Sequence, residues 1–307
     1  MDLIRYYFYT LLFVFSGFNS ISAQGKIESF LKPSDSLNQD RQTTVFIIEA
    51  ATTSATLLAL NQLWYKDYPK SNFHFLNDNA QWLQMDKAGH FFSAYHVGRV
   101  GAEMLEWSGS DKKTQRIYGA TLGFAFLSVV EVMDGFSAEW GASLGDVVAN
   151  ASGTALFLSQ DLLWNEQRII PKFSYHQTVY PSARPGTLGE SWNEQILKDY
   201  NGQTYWLSAN IHSFIPSNKI PKWLNLAVGY GAEGMITGDD VLVNTVFLPE
   251  TKRFRQFYLS LDVDLTKIET KSHFLKTIFS IFNTLKVPAP TLELNGNGKL
   301  RFHSLYF

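Results

Sequence analysis

The chain contains no cysteine. That excludes disulfide bridges, thiol catalysis, thiolate-bound metals and the lipid-accepting cysteine of a bacterial lipoprotein, so stability has to come from packing. There is no excess of positive charge either: the net charge is −2 and no Lys/Arg run offers a phosphate-binding stripe, which excludes nucleic acid as the main partner. Several catalytic signatures are missing. No H-E-x-x-H motif and no Glu-x-x-His pair of a di-iron bundle is present, and Ser93 and Ser128 lack a G-x-S-x-G setting. Gly229, Gly231 and Gly234 follow a strand pattern with no helix after them, so they read as a turn or bulge and not as a dinucleotide fingerprint. Apolar residues are plentiful. At 307 residues and 45% hydrophobic content, the chain suffices for one large or two modest domains with a real core.

Residues 1–23 read as a secretory signal, with Arg5 near the start, the apolar run Tyr6 to Phe15 and a small-residue stretch ending at Ala23. The apolar part is shorter than the roughly 20 residues of a spanning helix, which favours cleavage and export over anchoring. A polar leader, 24–42, is expected to be loosely held. An apolar helical bundle with about four helices follows over 43–170, in segments Thr43 to Tyr65, Asn79 to Trp107, Lys113 to Phe136 and Ser143 to Trp164. Gly119 and Gly123 stand at a spacing that allows close helix approach, and Ser143 is placed to cap the last helix. Trp64, Trp82, Trp107, Trp140 and Trp164 lie near segment ends, like an interfacial aromatic belt.

Beyond Pro171 the pattern changes. A connector, 171–202, carries a short helix near 190–199, and from 203 to 307 apolar side chains alternate with polar ones, the period of antiparallel strands. Five strands are predicted, the last two joined by the turn Asn295 to Gly298, with one amphipathic helix (Phe274, Ile278, Ile281, Phe282, Leu285) that could lie on a membrane surface or, the commoner arrangement, cover one side of the sheet. Counting back by twos from Phe307 places Leu305, His303, Arg301 and Lys299 on one face. That face is charged and the strands are too few for an outer-membrane barrel, so a small curved sheet leaning on the helices is expected. The fold class is therefore α+β: a helical bundle followed by an antiparallel β region.

Ionisable residues interrupt the most apolar stretch in pairs at helical spacing: Asp86 and His90 with Lys87, then Glu131 and Asp134, then Asp146 and Asn150. Charged groups in such surroundings are costly unless they meet partners, so the pairs are expected to converge between helices. Three roles fit this polar cluster. It could fix helix register as a structural network. It could hold a divalent metal on His90, Glu131, Asp134 and Asp146. His90 with Glu131 or Asp134 could also act as acid and base on an envelope glycan, lipid or peptide.

The run DKAGHF, the E-x-x-D of Glu131 and Asp134, and the D-x-x-x-N-x-x-G of Asp146, Asn150 and Gly153 together resemble the YfiM-like family of bacterial envelope proteins, and more distantly VanZ-type membrane proteins. The resemblance covers residues 80–165. It implies an exported, membrane-associated protein of the periplasm or envelope whose partners are membrane or envelope components, and it brings no established catalytic activity with it. The functions it leaves open are a structural or interaction protein, a hydrolase of an envelope component, and a lipid or small-molecule binding module.

Overall fold

The computed structural model describes residues 21–66, 68–239 and 252–307; the signal reading of 1–23 lies outside this range apart from its last three residues. Helices fill the N-terminal half and a six-stranded antiparallel sheet the C-terminal part.

The leader is more ordered than its polarity suggests. Helix α1 spans Ile21–Leu31, and helix α2 begins at Gln39, where Asn38 accepts the Arg41 N–H at 3.0 Å as an N-cap. Tertiary contacts hold α1: Trp107 donates to the Phe30 carbonyl at 2.6 Å, and Glu28 accepts the His273 N–H at 2.6 Å. Helix α2 (Gln39–Leu60) continues through a π turn, Asn61–Tyr65. Both α2 and the segment Lys112–Gly135 are long and apolar enough to cross a membrane, and only 11% and 28% of their apolar windows are buried.

The segment from Asn79 does not enter its helix directly. A 3₁₀ turn, Gln81–Gln84, precedes helix α3 (Met85–Trp107), and Trp82, Leu83 and Gln84 adopt left-handed backbone with φ of 47°, 50° and 65°. Three successive non-glycine residues in this region cost of order 1 kcal/mol or more each, so outside contacts must hold them. Trp82 N–H donates to Gly238 O at 2.8 Å, the Tyr230 hydroxyl donates to Leu83 O, and Arg255 donates to the Gln84 side chain at 2.7 Å. All three partners belong to the β region.

The third helical segment is likewise interrupted, with a π stretch at Gln115–Ala120 before helix α4 (Leu122–Gly135). Helix α5 spans Leu144–Trp164, with Ser143 as its N-cap. Helix α3 lies between these two. A Cβ on Gly123 would sit 2.0 Å from Ala94 O, and one on Gly153 2.1 Å from Phe91 O, so α4 and α5 each press backbone against α3 through a glycine.

The sheet has one more strand than the alternation predicts. β1 (Ile169–Tyr175) starts inside the predicted bundle and fills the first part of the connector; Pro171 disguises it, tolerated here on an edge strand. Helix α6 (Trp192–Lys198) lies where a short helix is expected, and β2 (Gln203–Asn210), β3 (Leu224–Glu233), β4 (Phe254–Val263), helix α7 (His273–Phe282), β5 (Ala289–Asn295) and β6 (Leu300–Tyr306) follow. The strands pair in chain order. Gly229 and Gly231 lie within β3 beside the Trp206 and Tyr258 rings, correcting the turn reading; Gly234, at φ 84°, makes the bend after it. Helix α7 does not cover the sheet. It packs against α1 and the turn Leu265–Lys267.

The sheet curls on itself. On the free side of β1, Phe173 N–H donates to Thr284 O and Lys286 N–H donates to Phe173 O, both at 2.9 Å, so the segment before β5 runs beside β1. Tyr306 of β6 meets Thr204 of β2 at 3.1 Å across the enclosed space. This concave interior holds polar side chains, among them Lys172, Ser208, Asp262 and Glu293, while Val228, Leu259 and Leu294 point outward into the open.

The edge strand contains a bulge that overturns the counting by twos. Ala289 pairs with Tyr306 and Thr291 with His303, so Ser304 and Leu305 together oppose Pro290. The extra residue flips the face, placing Leu305 (67% exposed) and Phe307 outside with Leu300 and Phe302 (65%), while His303 turns to Glu293 at 2.7 Å. The outer face at Phe307 is apolar.

Candidate functional site

The cluster is assembled around Lys87, at the start of α3. Its Nζ lies 2.7 Å from Asp78 Oδ2, 3.0 Å from Asp86 Oδ2 and 3.1 Å from Asp146 Oδ1. Asp86 lies one residue beyond the left-handed turn, after Met85, so the strained backbone sets the direction from which it and Lys87 reach α5. Asp146 sits in the first turn of α5, where Ser143 Oγ accepts its N–H at 3.2 Å and donates to Asp78 Oδ1 at 2.6 Å. Capping and clustering thus use the same residues.

One helical turn from Asp86, His90 reaches into the cluster. Its Nδ1 lies 3.0 Å from Asn150 Oδ1 and 3.6 Å from Glu131 Oε1, and its Nε2 lies 3.8 Å from Asp86 Oδ1. Asn150 is fully buried and Glu131 nearly so. Glu131 Oε2 accepts the Ser143 N–H at 3.0 Å, whereas Glu131 Oε1 and Asn150 Nδ2 have no hydrogen-bond partner among the described residues. Ligand atoms of Asp86, His90 and Asp146 all lie within 4.8 Å of one another, close enough to share one ion.

Burial works against the charge on His90, but Asp86, Asp146 and Glu131 more than offset it and hold the imidazole above its ordinary pKa. Burial raises Asp146 to about 6, with Asp86 adding to the rise and His90 and Lys87 opposing it. The same competition has the opposite outcome at Asp78: burial raises it, but the bonds from Lys87 and Ser143 win and lower it. Lys87 would be lowered by burial, yet its three carboxylates raise it, so it stays a cation.

Six of the seven residues expected from the sequence therefore meet: Asp86, Lys87, His90, Glu131, Asp146 and Asn150. Asp134 stands apart. It accepts the Tyr65 hydroxyl at 2.7 Å and borders the same cavity from another side. Asp78, Ser143 and Tyr200, whose hydroxyl lies 3.3 Å from Asp86 Oδ1, complete the site without having been singled out as members. Asp78 lies in the turn-like run LNDNA and Tyr200 at the end of the connector, so no helical periodicity marks either.

Asp78, Asp86, His90 and Asp146 of the cluster, with Asp134, form the polar wall of a cavity of about 530 Å³. The remainder is mostly apolar: Leu60 of α2 and Trp64 of the π turn after it, Phe92 and Val97 of α3, Phe126 and Val130 of α4, and Ile196 and Leu197 of α6, with Tyr205 of β2 closing one side. Such a space accepts a molecule with an apolar body and a polar head.

A family model described as "Predicted periplasmic lipoprotein (DUF2279)" matches residues 74–160, a stretch that contains all seven expected residues. The match supports a domain of envelope-protein type in a periplasmic or envelope setting. No curated protein and no solved structure matches the chain.

Proposed function

We propose that this is a membrane-associated envelope protein that binds a divalent cation on Asp86, His90 and Asp146 and uses it to hold, and hydrolyse at its head group, an amphiphilic envelope molecule seated in the apolar cavity. One observation carries the reading. His90 commits Nδ1 to the Asn150 carbonyl oxygen, which leaves Nε2 facing Asp86 Oδ1 at 3.8 Å. That edge of the ring holds a proton shared as an ion pair with Asp86, or a metal in the proton's place, and two ligands of one ion at about 2.1 Å each lie about 3–4 Å apart. An amide that fixes the far ring nitrogen is a usual support for a metal-binding histidine. A divalent ion held there would supply Lewis-acid activation of an ester or phosphoester, and Glu131, whose Oε1 lies 3.6 Å from His90 Nδ1 and has no hydrogen-bond partner among the described residues, would serve as the base toward water.

A structural reading rests on a different observation, the bonding of Lys87 to three carboxylates from the loop, α3 and α5. Elemental analysis and thermal shifts with Mg²⁺, Mn²⁺ and Zn²⁺ separate the two. The proposed function requires a bound divalent cation that raises the melting temperature of the wild type but not of Asp86→Asn or Asp146→Asn. If no cation shifts the wild type and Lys87→Met unfolds it, the cluster is a helix-holding network and the proposal fails.

A further inference from the structure

We infer that the outer face of the curled sheet where it is clear of the helices, from Leu207 on β2 to Phe302 on β6, is a lipid-contacting surface that seats in the acyl chains of a bilayer, with its Lys299–Arg301 rim on anionic headgroups. The inference is independent of the cation site.

The sheet is inverted relative to a sheet that faces water. Along β4, Gln256, Ser260 and Asp262 are buried while Phe257, Leu259 and Leu261 are about half exposed. The same division continues through Val228 on β3, Leu294 on β5 and Phe302 on β6. A water-facing protein rarely exposes an apolar patch beyond a few hundred Å², and does not hold ion pairs inside while its leucines stand outside. Buried ion pairs and outward leucines are both favourable where the outer face meets an apolar medium and not water.

Shape and charge select lipid over a second copy of the chain. The polar face is the concave one, since Tyr306 reaches Thr204 across it, so the apolar face is convex. A folded partner touches a convex surface along part of its width, whereas fluid acyl chains cover all of it. At the end of the sheet where β4 starts and the β5–β6 turn lies, Arg255, Lys299 and Arg301 are exposed, with Arg255 donating to Gln84 Oε1 and Arg301 lying 4.0 Å from Glu293, and this edge keeps a basic excess complementary to anionic headgroups.

The lack of native cysteine makes the test direct. Single cysteines placed at Leu259, Leu294 and Phe302, and at exposed Glu269 as control, are labelled with an environment-sensitive fluorophore in the full chain. Each labelled protein is mixed with vesicles of phosphatidylethanolamine and phosphatidylglycerol. The expected result is a blue shift and loss of quenching by aqueous iodide at the three sheet positions and not at Glu269. Lys299→Glu with Arg301→Glu should weaken vesicle binding by about fivefold or more per residue, at unchanged circular dichroism. Sheet labels that stay quenchable in the presence of bound vesicles would overturn the proposal, as would labels shielded without lipid in proportion to protein concentration, which would mark the face as a contact between copies.

Discussion

Lys172 and Asp262 form an ion pair of 2.8 Å with neither side chain exposed, although they stand on β1 and β4, strands that are not neighbours in the sheet. The pair crosses the interior of the curled sheet. Ser208 donates to the same carboxylate at 2.6 Å and Val287 N–H at 3.0 Å, while Lys286 Nζ lies 3.8 Å away and donates to the Leu261 and Val287 carbonyls. The aspartate thus lies between two buried ammonium groups and ties β1, β4 and the segment before β5 together.

Replacing Asp262 with Asn should therefore destabilise the fold by about 3–5 kcal/mol, the cost of leaving a buried charge without its partner. Adding Lys286→Met should restore part of that loss, because it removes one of the two stranded cations. Denaturant unfolding of the three proteins checks both expectations; equal stability of wild type and Asp262→Asn would show that the pair does not hold the sheet.

Gly153→Ala puts a methyl group where Phe91 O now lies 2.1 Å from the ideal Cβ position. Helices α3 and α5 must separate, at a cost of about 1–3 kcal/mol, and Asn150 and Asp146 move with α5 away from His90. Thermal melts and the cation response should both deteriorate, whereas Gly186→Ala, where nothing lies within 4 Å, should leave both unchanged.

His96 joins the two halves of the molecule: its Nε2 lies 2.7 Å from Pro171 O on β1, and its Nδ1 accepts from Arg99 at 3.2 Å. Burial first, and then Arg99, lower its pKa from 6.5 to about 3. The unfolded chain takes up a proton here as the pH falls through 6.5 and the native imidazole does not until about 3, so stability is lost on acidification within that window. The limit is about 1.4 kcal/mol per pH unit. Unfolding at pH 7.5 and pH 5.0 should show a steeper loss in the wild type than in His96→Leu, even if the variant is less stable at pH 7.5.

Asn150→Leu removes the acceptor that orients His90 without touching a cation ligand. Cation affinity should fall about 10- to 100-fold, as for other supports of a ligating histidine. Calorimetric titration with Mn²⁺ measures it, and unchanged affinity at intact fold would remove Asn150 from the site.

Much of this protein was settled by its sequence alone. Period and spacing located the helices from α2 onward, five of the six strands, and the residues of α3, α4 and α5 that meet around Lys87, because charges in apolar helices have few ways to be satisfied other than by each other; helix α1, in a polar leader, was not legible. Other features depended on contacts between distant segments. The left-handed turn before Asp86 exists because β3, β4 and the Gly238 loop hold it, and Asp78 joins the cluster from a loop with no periodicity to reveal it. Alternation along a strand is the same whichever face is inside, so only closure of the sheet on β1 and the bulge opposite Pro290 decided that its polar side chains turn inward and its apolar ones outward.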